Sequence, residues 1–243
     1  MHKLVIALLA AGIVSGAAFA QSSPLKIGFV AELSGPQAPL GQDQYDALML
    51  VIEQNGGKLG GVPVQVIKED SQLKPDVANQ VVDKLLEKDK VPIITGVTFS
   101  NIMMAVHKKI TDKGVFLIGS NAGPSPVAGA QCSPYFFSTS WQNDNQAEVV
   151  GKYASDKGYK NVIAMAPNYQ AGKDFVAGFK RSFKGGTITD EIYTPLNQQD
   201  FSAELAQVAS KSPTRSTCSI RAALVSISSS SSSRPASTRA SRS

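Results

Sequence analysis

The 243 residues carry 24 Lys+Arg against 19 Asp+Glu, a formal charge of +5, with 42% apolar residues and two cysteines, Cys132 and Cys218. The basic excess sits at one end: residues 212–243 hold five of the six arginines and no Asp, Glu or Lys, whereas residues 21–211 hold 18 basic and 19 acidic side chains. A body so close to neutral gives no electrostatic basis for binding nucleic acid or an anionic membrane, and two cysteines are too few for a disulfide-built scaffold.

In chain order, residues 1–20 come first. His2 and Lys3 precede an apolar run over 4–14, and Ala18-Phe19-Ala20 follows, the order of a secretory signal peptide cleaved between Ala20 and Gln21. The run is shorter than the roughly 20 apolar residues a bilayer span requires. No cysteine follows the cleavage point directly, so an exported protein without a lipid anchor is expected.

From there β-branched apolar runs alternate with helical spacing. Strands are predicted at 25–32, 62–68, 91–95, 115–118, 161–166 and 187–193, and helices at 42–55, 75–87, 101–113, 145–157, 172–183 and 202–210. Asn55-Gly56-Gly57 stops the first helix, and Pro75 opens the second where its missing N–H costs least. Strict alternation predicts an α/β fold of mainly parallel sheets, with ligands held beyond the carboxyl ends of the strands.

Catalytic patterns are missing from the sequence. His2 leaves with the signal, His107 is expected on a helix surface, and no G-x-S-x-G elbow occurs. The run Gly56-Gly57-Lys58-Leu59-Gly60-Gly61 lacks phosphate-loop spacing and lies between helix and strand, so it predicts a turn. No His, Cys, Asp or Glu cluster has metal-ligand spacing, and no cofactor is implied.

The loops after strands are richer. Gly96-Val97-Thr98-Phe99-Ser100-Asn101 brings hydroxyl and amide groups to a helix N-terminus, which either binds a carboxylate or is simply capped by Ser100 or Asn101. Gly119-Ser120-Asn121-Ala122-Gly123-Pro124-Ser125-Pro126 is a ligand wall or an ordinary turn-rich loop. The loop at 167–174 carries Tyr169, which has a flat face and a hydroxyl. Trp141, the one tryptophan, lies where the first β/α series gives way to the second.

These segments, from LKIGFVAELSGPQAPLG through ITGVTFSN, LIGSNAGPSP and WQND to APNYQAGKDFVAGFK, resemble in order the type I periplasmic binding proteins of the leucine/isoleucine/valine group, over residues 25–211. The resemblance implies two doubly wound parallel-sheet α/β lobes that close on a small ligand, an amino acid or an aromatic or aliphatic carboxylate, and present it to the membrane permease of an ABC importer. It divides the chain into a signal peptide (1–20), a first lobe (21–140), a partial second lobe (141–211) and a Ser/Arg-rich tail (212–243). Ser100 falls on the family's carboxylate contact, Asn121, Ala122 and Gly123 on a second contact segment, and Tyr169 on the aromatic of the second lobe. Trp141 and Asp144 fall at the hinge crossing. Leu40 stands where relatives that bind amino acids often carry an aromatic, and Gly123 replaces a hydroxyl residue. Both departures, with NAGPS and APNYQAGKD, resemble a branch that takes up aromatic carboxylates. A receptor on the same fold is the other function class, and a hydrolase the third.

Thirteen of the 32 residues in 212–243 are serine and none is glycine. The tail is a disordered linker or the product of a frameshift near codons 211–213, since permitted codons for 213–231 reread out of frame give a strand, a glycine turn and a helix start. A frameshift leaves the second lobe incomplete, makes Cys218 accidental and leaves Cys132 without a natural partner.

Overall fold

A computed structural model describes residues 23–211 and the backbone of a two-residue strand at 217–218. The expected signal segment and frameshifted tail lie outside the described residues, that strand apart.

Strand β1 (Leu25–Ala31) buries Ile27, Phe29, Val30 and Ala31, residues that point to both faces of the sheet. A strand covered on both faces is the mark of a central parallel strand, and β1 lies between β3 (Val62–Asp70) and β4 (Ile93–Gly96), parallel to each. β5 (Phe116–Gly119) and β6 (Phe136–Ser138) extend the sheet beyond β4. β2 (Lys58–Leu59) pairs antiparallel with β3 through Gly60 and Gly61, at φ 56° and 82°. Two consecutive left-handed residues match a tight hairpin turn, which is what the glycine cluster forms instead of a phosphate loop. The sheet order is β2-β3-β1-β4-β5-β6.

Helices α1 (Ala38–Gln54), α2 (Pro75–Asp83) and α3 (Ser100–Asp112) connect these strands. The core beneath them is built from Val82, Leu85, Ile94, Ile102, Met103, Val106, Ile110 and Leu117, all inaccessible to solvent. Each such side chain contributes about 1.5–3 kcal/mol relative to exposure. Gly28 of β1 belongs to this packing, because a Cβ there would stand 2.9 Å from Leu85 Cδ1.

The second series begins at α4 (Asn143–Asp156) and continues through β7 (Asn161–Pro167), α5 (Gln170–Ser182), β8 (Thr187–Thr194), α6 (Ser202–Ser210) and β9 (Thr217–Cys218). β7 is parallel to both neighbours in the order β8-β7-β9, a sheet separate from the first. Helices α4 and α5 approach closely at two glycines: a Cβ would meet Ser182 Oγ at 2.3 Å from Gly151 and the Asp144 carbonyl at 2.2 Å from Gly178.

The structure departs from the sequence expectations in a few places. α1 starts at Ala38, four residues early, with a proline in its first turn. α2 ends at Asp83 and the chain runs on as a π-helical turn over Lys84–Lys88, where Asp89 N–H reaches the Lys84 carbonyl at 3.1 Å. β2, β6 and the 3-10 turn Ser125–Ala128 are too short to show a periodicity. His107, expected on the surface, is 2% exposed and packs edge-on against Phe136 at 5.1 Å between ring centres. It shares the buried face of α3 with Met103, Val106 and Ile110, and burial pushes its pKa down.

Candidate functional site

From β1 the chain runs outward to β3, then crosses back to β4 on the other side of β1. That reversal is the switch point at the carboxyl ends of β1 and β4, the crevice position at which doubly wound sheets hold ligands. Four segments meet there: Glu32 and Leu33 after β1, Ser71 after β3, Val97 to Ser100 after β4, and Ser120 to Gly123 after β5.

The turn after β4 is tightly constrained. Gly96 has φ 101°, and a Cβ on it would lie 2.4 Å from the Val30 carbonyl. Val97 has φ 61°, held by its N–H to the same carbonyl at 2.7 Å. A β-branched residue in the left-handed region costs about 1–3 kcal/mol and tends to occur at ligand clamps.

A chain of hydrogen bonds crosses the strand ends. Gln44 of α1 donates from Nε2 to Thr98 Oγ1 (3.0 Å) and accepts from Ser120 Oγ (2.5 Å). Asn121 Nδ2 donates to the Thr98 carbonyl at 2.7 Å, and Ser140 Oγ donates to the Asn121 carbonyl at 3.1 Å. Ser71 Oγ donates to Glu32 Oε1 at 3.0 Å. Glu32 is fully buried, and burial raises its pKa; Thr98 and Ser71 offset this in part, while the charge of Asp70 adds to it. Asp70 goes the other way: burial raises its carboxyl, but hydrogen bonds from Ser34 and the Leu33 and Gln72 N–H groups outweigh that and leave it low.

A second, buried group links α3, α4 and α5. Asn143 Nδ2 lies 3.0 Å from both Ser100 Oγ and Asp174 Oδ2. Asp174 also accepts the Ser125 N–H at 3.0 Å and Gln170 Nε2 at 2.8 Å. Nearby, burial pushes the Asp144 carboxyl up, but the Arg181 guanidinium, with Ser125 and Gln142, outweighs this and holds it below its usual range.

Ser100 is the first residue of α3 and buried; its hydroxyl accepts from Asn143, and the residue before the helix, Phe99, makes no side-chain cap. Ala122 is buried, with its N–H on the Val97 carbonyl at 3.1 Å. Tyr169 is 8% exposed and its ring lies 6.2 Å from that of Phe99. Leu40 packs on the same core as Phe99, Ala122 and Tyr169. Asn121 is half-buried at the rim.

Gly123 has a packing reason: a Cβ would come within 1.8 Å of the Trp141 carbonyl, and its own carbonyl accepts the Asn143 N–H at 2.8 Å. Trp141 stands apart from the others. It lines a cavity of about 220 Å³ with Gly123, Val127, Phe136 and Ser138, which Leu40, Ser100, Asn121 and Tyr169 do not border. Sequence reasoning passed over Glu32, Gln44 and Asn143, and reached Thr98, Ser120 and Asp174 only as members of their candidate loops. Glu32, Thr98 and Ser120 are polar residues just past buried strands, and that position is the signal that marks them.

The family model for periplasmic binding proteins matches residues 24–220. Leu/Ile/Val-binding protein homolog 6 of Brucella abortus is 29% identical over 211 residues, covering 86% of this chain and 53% of the relative. Two solved structures of ABC-transporter solute-binding proteins superpose closely. One, from R. palustris in complex with benzoate, has a TM-score of 0.76 at 31% identity, over 81% of this chain and 55% of that one. The other, from Rhodopseudomonas palustris BisB5 in complex with 3,4-dihydroxybenzoic acid, has a TM-score of 0.74 at 29% identity, over 81% and 54%. The chain thus spans about half the length of the relatives it matches. These relatives are binding proteins of transporters, not enzymes. With a parallel α/β sheet, a crevice at its switch point and a family match over most of its length, the chain belongs to the periplasmic binding protein family.

Proposed function

We propose that this chain is the substrate-capturing part of a periplasmic ABC-importer subunit, that its ligand is a small aromatic carboxylate, and that its partner is an inner-membrane permease. The observation that carries the reading is the pairing of an aromatic wall, Phe99 against Tyr169, with the start of α3, where no side chain caps the helix, Ser100 is the first residue and Thr98 lies two residues before it. The apolar wall suits a ring, while the N–H groups and positive dipole end of a helix suit a carboxylate. The benzoate and dihydroxybenzoate complexes among its relatives support the same class.

A branched-chain amino acid is the second reading, favoured by the Leu/Ile/Val-binding relatives. It needs a group to take the ammonium. Among the described residues, Glu32 is enclosed and held toward its neutral form by burial, and Asp174 already accepts from three donors. Export to the periplasm follows from the leader expected at residues 1–20, and it agrees with the family's location.

Thermal-shift measurements on the chain with benzoate, 4-hydroxybenzoate and leucine separate the two ligand classes. A melting shift of several degrees is expected with the aromatic acids at concentrations well above Kd. A shift with leucine and none with the aromatic acids overturns the reading.

A further inference from the structure

We propose that Asn143 is a positioning residue for the ligand site: it fixes the direction in which the Ser100 hydroxyl donates. The inference rests on the reading of Ser100 as a carboxylate contact and extends it to a residue outside the crevice.

The geometry gives Asn143 Nδ2 and Ser100 Oγ one role each, while Asn143 Oδ1 is buried with no hydrogen-bond partner among the described residues. Asp174 accepts a backbone N–H from Ser125 and the Gln170 amide, so the group Asn143 turns toward it has to be the donor, Nδ2. The second hydrogen on that nitrogen then meets Ser100 Oγ at 3.0 Å, making the serine oxygen an acceptor. With that lone pair engaged, the Ser100 hydroxyl hydrogen points away from Asn143. Among the described residues no acceptor meets it, although Ser100 and Asn143 are both 0% exposed. A buried hydroxyl with its acceptor side filled and its donor side open requires an acceptor, and a ligand carboxylate at the first turn of α3 supplies one.

The arrangement also ties the two sheets together. Ser100 and Ser125 follow strands of the first sheet, Asp174 lies on the helix after β7 of the second, and Asn143 opens α4, the first element of the second series. Its backbone N–H is anchored on the Gly123 carbonyl at 2.8 Å, so its side chain is aimed from a fixed point.

The test is a double-mutant cycle of Ser100→Ala and Asn143→Ala, read by benzoate affinity and, separately, by melting temperature without ligand. Each single variant is expected to weaken benzoate binding about tenfold, the effect of one lost hydrogen bond. The double variant is expected to bind no more weakly than Ser100→Ala alone, because Asn143 acts through Ser100. Losses that multiply to about a hundredfold, or an Asn143→Ala protein with unchanged affinity, overturn the proposal. If Asn143→Ala does not fold, Asp174→Leu removes the acceptor that orients the amide at a similar side-chain size. It is then expected to weaken benzoate severalfold, and unchanged affinity overturns the proposal. The melting temperatures are expected to be non-additive as well, and additive shifts count against it. A parent chain that binds no benzoate refutes the ligand assignment instead, and the melting cycle alone then decides the role of Asn143.

Discussion

Glu32 is the most unusual side chain of the crevice: a fully buried carboxyl whose Oε2 has no hydrogen-bond partner among the described residues. Its neighbours are Ser71, Thr98 and the like-charged Asp70, and among the described residues no cation offsets its burial. A carboxyl whose folded pKa lies above its unfolded value stabilises the fold fully below the unfolded value, and that stability is lost as pH rises through the folded value. The melting temperature is therefore expected to fall as pH rises from about 4.5, the ordinary glutamate value, and Glu32→Gln is expected to remove that part of the slope. Parallel slopes for the two proteins contradict this role for Glu32. Its place at the end of a predicted strand is legible in the sequence but its burial is not, because an acidic side chain there ordinarily reaches solvent. His107 is misplaced by sequence for a different reason. Its spacing from Met103 and Ile110 puts it on the buried face of α3, and its polarity argues against what the period indicates.

At the scale of elements, the alternation of strands and helices is legible because each buried strand carries an apolar run and each helix an apolar face. The short pieces are not. β6 is three residues long and is held by its pairing with β5 rather than by any local pattern. The contact between α4 and α5 is also hidden, since Gly151 and Gly178 look like ordinary helix-weakening glycines until the neighbouring helix is in place. Substituting valine at Gly178 forces the Asp144 carbonyl away and disturbs the helix that carries Asn143. Overpacking of this kind costs about 2–3 kcal/mol, which corresponds to a melting point roughly 5–10 °C lower for a domain of this size. A Gly178→Val protein that melts within a degree of the parent contradicts the close packing described for α4 and α5.

For the whole molecule, the distribution of charged residues along the chain is enough to separate a near-neutral body from a basic tail. The two sheets follow the order in which the chain lays down its β/α units, and the crevice follows from the reversal at β1 and β4. Of the candidate ligand residues, the sequence points to the loops after strands but not to how their atoms are engaged. Ser100 is bonded to Asn143, Gly123 is packed under the Trp141 carbonyl, and Trp141 lines a different cavity. Those facts depend on the meeting of segments far apart in the chain. The frameshift expectation for residues 212–243 lies outside the described residues, and resequencing across codons 211–213 checks it.

The central claim is that the crevice captures a small aromatic carboxylate. Isothermal titration of the chain with benzoate tests it most directly. Saturable binding at one benzoate per chain is predicted, weakened about tenfold by Ser100→Ala and absent for toluene, which has the ring but lacks the carboxylate. Titrations that show no heat with benzoate or its hydroxylated forms, while leucine or isoleucine saturates one site, contradict it.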